Sequence, residues 1–157
     1  LEVLLTLPVS ETKVVIAKFF ALLTLTTIAL VLTFSLPLSL GLLTKIYIPE
    51  IIIAYLGLIF FSMMTITLTM IFSLLTKNQV VAFLVSVIVI FITLVLGGDF
   101  FAGVLPRLVR DFLSYFSPQY HLVSFEKGLI DFRSLFYFLT ATLTFLAINI
   151  LLLKNRD

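Results

Sequence analysis

Four unbroken apolar runs dominate the chain, from about Val14 to Leu36, Ile51 to Thr76, Val80 to Gly97 and Leu135 to Leu153. A hydrocarbon layer about 30 Å thick requires roughly 20 apolar residues in helical form. Lipid offers no partner for a bare peptide group, so such runs must satisfy their backbones internally. The pattern predicts an all-α fold, a polytopic transmembrane helix bundle with four membrane helices. The last three runs contain no ionisable residue, and Lys18 lies one turn inside the first, where its stem can reach back to the interface. The runs do not alternate polar with apolar, which excludes a transmembrane barrel. The first run is also too long for a secretory signal and has no small-residue cleavage site after it.

Between the runs the polar residues carry the punctuation. Pro37 and Gly41 mark a short apolar connection that ends at Pro49 and Glu50. The turn "TKNQ", Thr76 to Gln79, is tight enough to make the helices on either side antiparallel neighbours. The longest polar stretch runs from Gly98 to Ser134 and predicts short interfacial helices. Arg107, Arg110, Asp111 and Ser114 fall on one helical face, with Leu105, Leu108, Val109, Phe112 and Phe116 on the other. Ser117 is placed to cap a second short helix before Pro118, Gly128 to end it, and Asp131 to cap the last membrane helix. All five tyrosines, Tyr47, Tyr55, Tyr115, Tyr120 and Tyr137, fall at the end of the bundle that holds this stretch, as a one-sided aromatic belt.

Composition agrees with a bilayer setting: 62% of the residues are hydrophobic and 11% are charged, and the mean hydropathy is +1.29. Cysteine is absent, so no disulfide framework and no Cys-based metal or redox motif applies. The net charge of +2 contains no basic run that could track a phosphate backbone, which argues against nucleic acid as a partner. Positive charge leaves the orientation open. Lys13, Lys18, Lys77, Lys154 and Arg156 lie toward one end, and Lys45, Arg107, Arg110, Lys127 and Arg133 toward the other.

Few residues carry candidate chemistry. His121 is the only histidine and has no second histidine at metal-binding spacing, so its expected role is an interfacial or capping hydrogen bond, with no metal site and no cofactor. No P-loop is present, so ATP hydrolysis is not expected of this chain. Proton-coupled carriers and intramembrane hydrolases need titratable groups at depth. The middle of every run lacks them, and an enzyme is not expected. Ser62, Thr65, Thr69, Ser73 and Thr76 place hydroxyls along one face of the second membrane helix. They suit a helix–helix interface, or the lining of a path if that interface opens. Thr24, Thr27, Thr140 and Thr144 make weaker stripes on the first and last helices.

Three stretches resemble the ABC type-2 transporter permeases, most closely the gliding-motility-associated (GldF-like) subgroup. They are "LEVLLTLPVSETKVVIAKFFA" from Leu1 to Ala21, "YLGLIFFSMMTITLTMIFSLLTKNQVVAF" from Tyr55 to Phe83, and "LSYFSPQYHLVSFEKGLIDFRSLFYF" from Leu113 to Phe138. The last stretch places Ser117, His121, Phe125, Gly128 and Asp131 as an external-loop motif. Ala17 departs from the glycine usual before Lys18. The family's first two membrane helices have no counterpart, which, with Leu1 in first position, gives the expectation of a C-terminal fragment of a six-helix subunit. The resemblance implies a cell (inner) membrane location and two partners, a cytoplasmic ATP-binding subunit and a second permease half. It implies that both ends of the chain face the cytoplasm and that residues 98–134 face outward. On that reading residues 1–13 form a coupling segment, and Leu4, Leu5, Pro8 and Val9, with Val15 just beyond it, offer apolar contact to the ATPase. Glu2, Glu11 and Lys13 would set the register, and Lys18 would mark the membrane edge. The expected function is a permease subunit of an ATP-driven exporter. The alternative is a membrane scaffold or anchor of a motility or secretion machinery that moves no substrate itself.

Overall fold

The computed structural model describes residues 10–43, 45, 47–97 and 106–155. Every regular element among them is an α-helix: α1 Glu11–Thr33, α2 Ser35–Leu43, α3 Ile48–Leu75, α4 Gln79–Gly97, α5 Arg107–Phe116, α6 Pro118–Glu126 and α7 Phe132–Lys154. Three stretches are long and apolar enough to cross a membrane, Glu11–Leu42, Ile48–Leu75 and Phe132–Lys154. The expected crossing at α4 is helical, but its apolar part, Gln79–Val95, falls short of that length. The chain is a membrane protein by these helices and its composition.

The expected connection around Pro37 and Gly41 is instead the helix α2. Proline removes the N–H that would bond the carbonyl four residues back and crowds that carbonyl. For Pro37 that carbonyl belongs to Thr33, where α1 ends. The Phe34 N–H forks between the carbonyls of Leu30 and Val31, at 3.1 and 3.2 Å, and the chain resumes as helix with Pro37 in the first turn, where a missing N–H goes unnoticed. At Pro49 the same tolerance starts α3 at Ile48 rather than Ile51.

α3 is the hub, packing on α1, α4, α6 and α7. Its buried Gly57, Met64, Thr67 and Ile71 recur at helical spacing and define its inward face. Two apolar clusters hold the bundle. One joins Val15 and Phe19 of α1 to Met70 of α3 and Leu153 of α7. The other joins Met64 of α3, Phe125 of α6 and Phe138 of α7. Leu153 meets the C-terminal part of α3 and Phe138 its middle, so α7 runs in the same direction as α3. Val15, expected at a docking surface, is 3% exposed and belongs to the first cluster, because the opening turns of α1 already pack on α3 and α7.

The turn after α3 is as tight as expected. Asn78 caps α4, its Oδ1 accepting the Val80 N–H at 2.9 Å. α6 ends in a Schellman arrangement, in which the Leu129 N–H reaches the Ser124 carbonyl and the Gly128 N–H the Phe125 carbonyl, each at 3.0 Å. Gly128 takes the required positive φ of 69°, and a side chain there would also strike Glu50.

Candidate functional site

The loop motif of the sequence comes together as one corner built on α6 and the start of α7. Ser117 is buried and caps α6, accepting the Gln119 N–H at 3.3 Å while donating to the Thr93 carbonyl of α4 at 2.8 Å. One hydroxyl thus starts a helix and ties it to another. Asp131 caps α7 by accepting the Arg133 N–H at 3.0 Å. Phe125 is fully buried against Gly57, and Tyr137 donates to the Phe116 carbonyl at 2.6 Å.

His121 lies at the centre of this corner, 3% exposed and stacked on the Tyr137 ring with centroids 4.1 Å apart. Its Nε2 is 3.1 Å from the Tyr115 carbonyl and its Nδ1 is 3.2 Å from Ser134 Oγ. A carbonyl can only accept, so Nε2 carries the hydrogen, and in the neutral ring Nδ1 accepts from Ser134. Burial pushes the imidazole below its ordinary range, against the opposing pull of the Tyr115 carbonyl and of Asp131, and Arg133 pushes the same way as burial. Ser134 Oγ has a second acceptor within reach, Asp131 Oδ2 at 3.4 Å. Among the described residues no group of three potential metal ligands forms here or elsewhere.

A second polar locus lies between the two apolar clusters. Thr67 and Asn149 are fully buried and Thr142 nearly so. Asn149 Nδ2 donates to the Thr67 carbonyl of α3 at 2.9 Å and to the Phe145 carbonyl of its own helix at 2.8 Å, which leaves Oδ1 buried without a partner. Sequence reading passed over this residue because it is neither ionisable nor part of a stripe. Its signal was a lone carboxamide inside an apolar run.

The expected hydroxyl stripe divides. Thr65, Thr69 and Ser73 line a groove of about 410 Å³ between α1, α3 and α4, together with Lys18 and the buried Ser86. Ser62 and Thr76 lie outside it. Ser62, Thr65, Thr69 and Thr76 donate to carbonyls of their own helix at 2.7–3.1 Å rather than across an interface. These bonds release the helices to pack through small surfaces and leave the stripe undemanding toward a neighbour.

Of the coupling residues, Glu2, Leu4, Leu5, Pro8 and Val9 lie outside the described residues, whereas Glu11, Lys13 and Lys18 stand on the first turns of α1. Compared with known proteins, the chain matches no family model, no curated protein and no solved structure.

Proposed function

We propose that the chain is a permease part of an ATP-driven ABC type-2 exporter, powered by a separate cytoplasmic ATP-binding subunit and completed by a second permease half. The observation that carries this reading is the character of the described bundle interior. Among the described residues its buried polar groups within the long helices, Thr67, Ser86, Ser134, Thr142 and Asn149, carry no proton-titrating side chain, and the one buried titratable group, His121, sits apart in the corner on α6. Such an interior suits power supplied from outside the lipid. The first turns of α1 suit that transfer, because Lys13 is exposed and Glu11 half-buried beside it while Val15 and Phe19 lock the same helix into the shared core with α3 and α7. A push on this end of α1 is therefore felt by the whole bundle.

The same reading makes α4 a fourth crossing. The parallel run of α7 and α3 supports this, since a return between them is what α4 would supply. At 1.5 Å per residue, Gln79–Val95 spans about 26 Å, within a few ångströms of a bilayer core. The expected topology places both chain ends and the Thr76–Gln79 turn in the cytoplasm of a cell membrane, with the His121 corner outside.

The test is co-purification. The chain isolated from its own membranes is expected to bring an ATPase with it, and replacing Pro8 and Val9 by aspartate is expected to lower the associated hydrolysis. Absence of any bound nucleotide hydrolase would favour a scaffold that moves no substrate.

A further inference from the structure

We propose that the groove between α1, α3 and α4 is a binding site for one anionic phospholipid of the bilayer, its head group held by Lys18 and its acyl chain laid against α3 and α4. The groove volume, about 410 Å³, lies within the roughly 300–1,000 Å³ typical of small-molecule sites. Its walls are apolar in effect. Leu22, Phe83 and Ile90 present hydrocarbon, and the hydroxyls of Thr65, Thr69 and Ser86 are turned back to their own helix carbonyls. Such a surface suits a fatty tail, and Ser73 is the one lining hydroxyl not turned back to a helix carbonyl.

Lys18 is the exception. It is exposed at one end of the groove, about 10 Å along the helix axis from Glu11, and among the described residues no carboxylate pairs with it. An ammonium at that depth, beside hydrocarbon, seeks an anion or water. The surrounding charge selects the anion. Among the described residues this end of the bundle carries Lys13, Lys18, Lys77 and Lys154 against Glu11 alone. Basic residues clustered at a membrane edge attract anionic head groups. A second copy of the chain fits the groove less well, because two-fold pairing across this face would bring Lys18 of both copies to one seam. The site does not depend on whether the protein moves a substrate.

The chain contains no tryptophan, so a single indole can report on the groove. In phosphatidylcholine nanodiscs doped with brominated lipid, the Phe83→Trp variant of the full chain is expected to be quenched about three-fold more strongly by brominated phosphatidylglycerol than by brominated phosphatidylcholine. Leu143→Trp, on an exposed position of α7, is expected to respond equally to both lipids. Adding Lys18→Gln to Phe83→Trp should erase the preference and Lys18→Arg should keep it, with far-ultraviolet circular dichroism confirming the helices in each. Equal quenching of Phe83→Trp by the two lipids, or a preference that survives Lys18→Gln, overturns the proposal. Absence of quenching by either lipid also overturns it, since protein would then cover the groove.

Discussion

His121 is a buried base whose two ring nitrogens are both engaged, one by a carbonyl and one by a hydroxyl. Its lowered pKa means that the folded protein binds fewer protons than the unfolded chain near the ordinary value of 6.5. The stabilisation is complete above that value and is lost as pH falls through the lower, folded-state value. Thermal melting in detergent is therefore expected to fall more between about pH 7.5 and 5.5 for the native chain than for His121→Phe. Matching slopes for the two would refute the assignment. Protonation also reverses the Ser134 bond: Nδ1 becomes a donor, and the Ser134 hydroxyl turns to Asp131. Asn149 poses the opposite problem, since its orphaned Oδ1 is retained at a penalty of about 1–3 kcal/mol, against about 0.6 kcal/mol gained per hydrogen bond in a membrane interior. The orphan matches or outweighs the two bonds, about 1.2 kcal/mol together, so Asn149→Leu is expected to leave melting unchanged or raised. A loss above about 1 kcal/mol would identify the carboxamide as structural glue.

Between elements, α6 comes close to α3 at Gly57. A methyl group there would lie 2.5 Å from Phe125 Cβ and 2.7 Å from its Cγ. Phe125 is fully buried between Met64 and Phe138 and has no free space to retreat into. Overpacking of this kind destabilises by about 1–3 kcal/mol, more than the roughly 1 kcal/mol that alanine gains over glycine in a helix. Gly57→Ala is thus expected to lower the melting temperature, while Gly41→Ala, with open space around its Cα, is not. These crossings were only partly legible in the sequence. The runs located α1, α3, α4 and α7 because membrane helices announce themselves by length, and the caps at Ser117, Gly128 and Asp131 followed from local backbone chemistry. The helix α2 was hidden because proline reads as a breaker unless its place within the first turn is known. The partners of His121 and Asn149 were hidden for a different reason. Thr67 is 82 residues from Asn149, and in a run that is apolar on every side no periodicity says which face turns inward.

At the scale of the molecule, the bundle has two unlike ends. One gathers Lys13, Lys18, Lys77 and Lys154 among its described residues, and the other gathers the aromatic and hydrogen-bonded corner around His121. Counting lysine and arginine over the whole sequence hides this difference, because the totals balance, and acidic residues weigh little in membrane orientation. The sidedness is accessible to a direct measurement, since the chain has no cysteine of its own. Asn78, in the turn between α3 and α4, is exposed at the lysine-rich end, and Ser114 on α5 lies at the other end. If the turn is cytoplasmic and α4 crosses the layer, a membrane-impermeant maleimide should label Ser114→Cys in intact cells and Asn78→Cys only after permeabilisation. Labelling of Asn78→Cys alone would invert the topology and place the opening turns of α1 beyond reach of a cytoplasmic ATPase. Labelling of both from the same side would mean that α4, about 26 Å in its apolar part, dips into the bilayer and returns. α7 could then not run parallel to α3 through one hydrocarbon layer, so this experiment tests the packing of the two apolar clusters as well as the orientation.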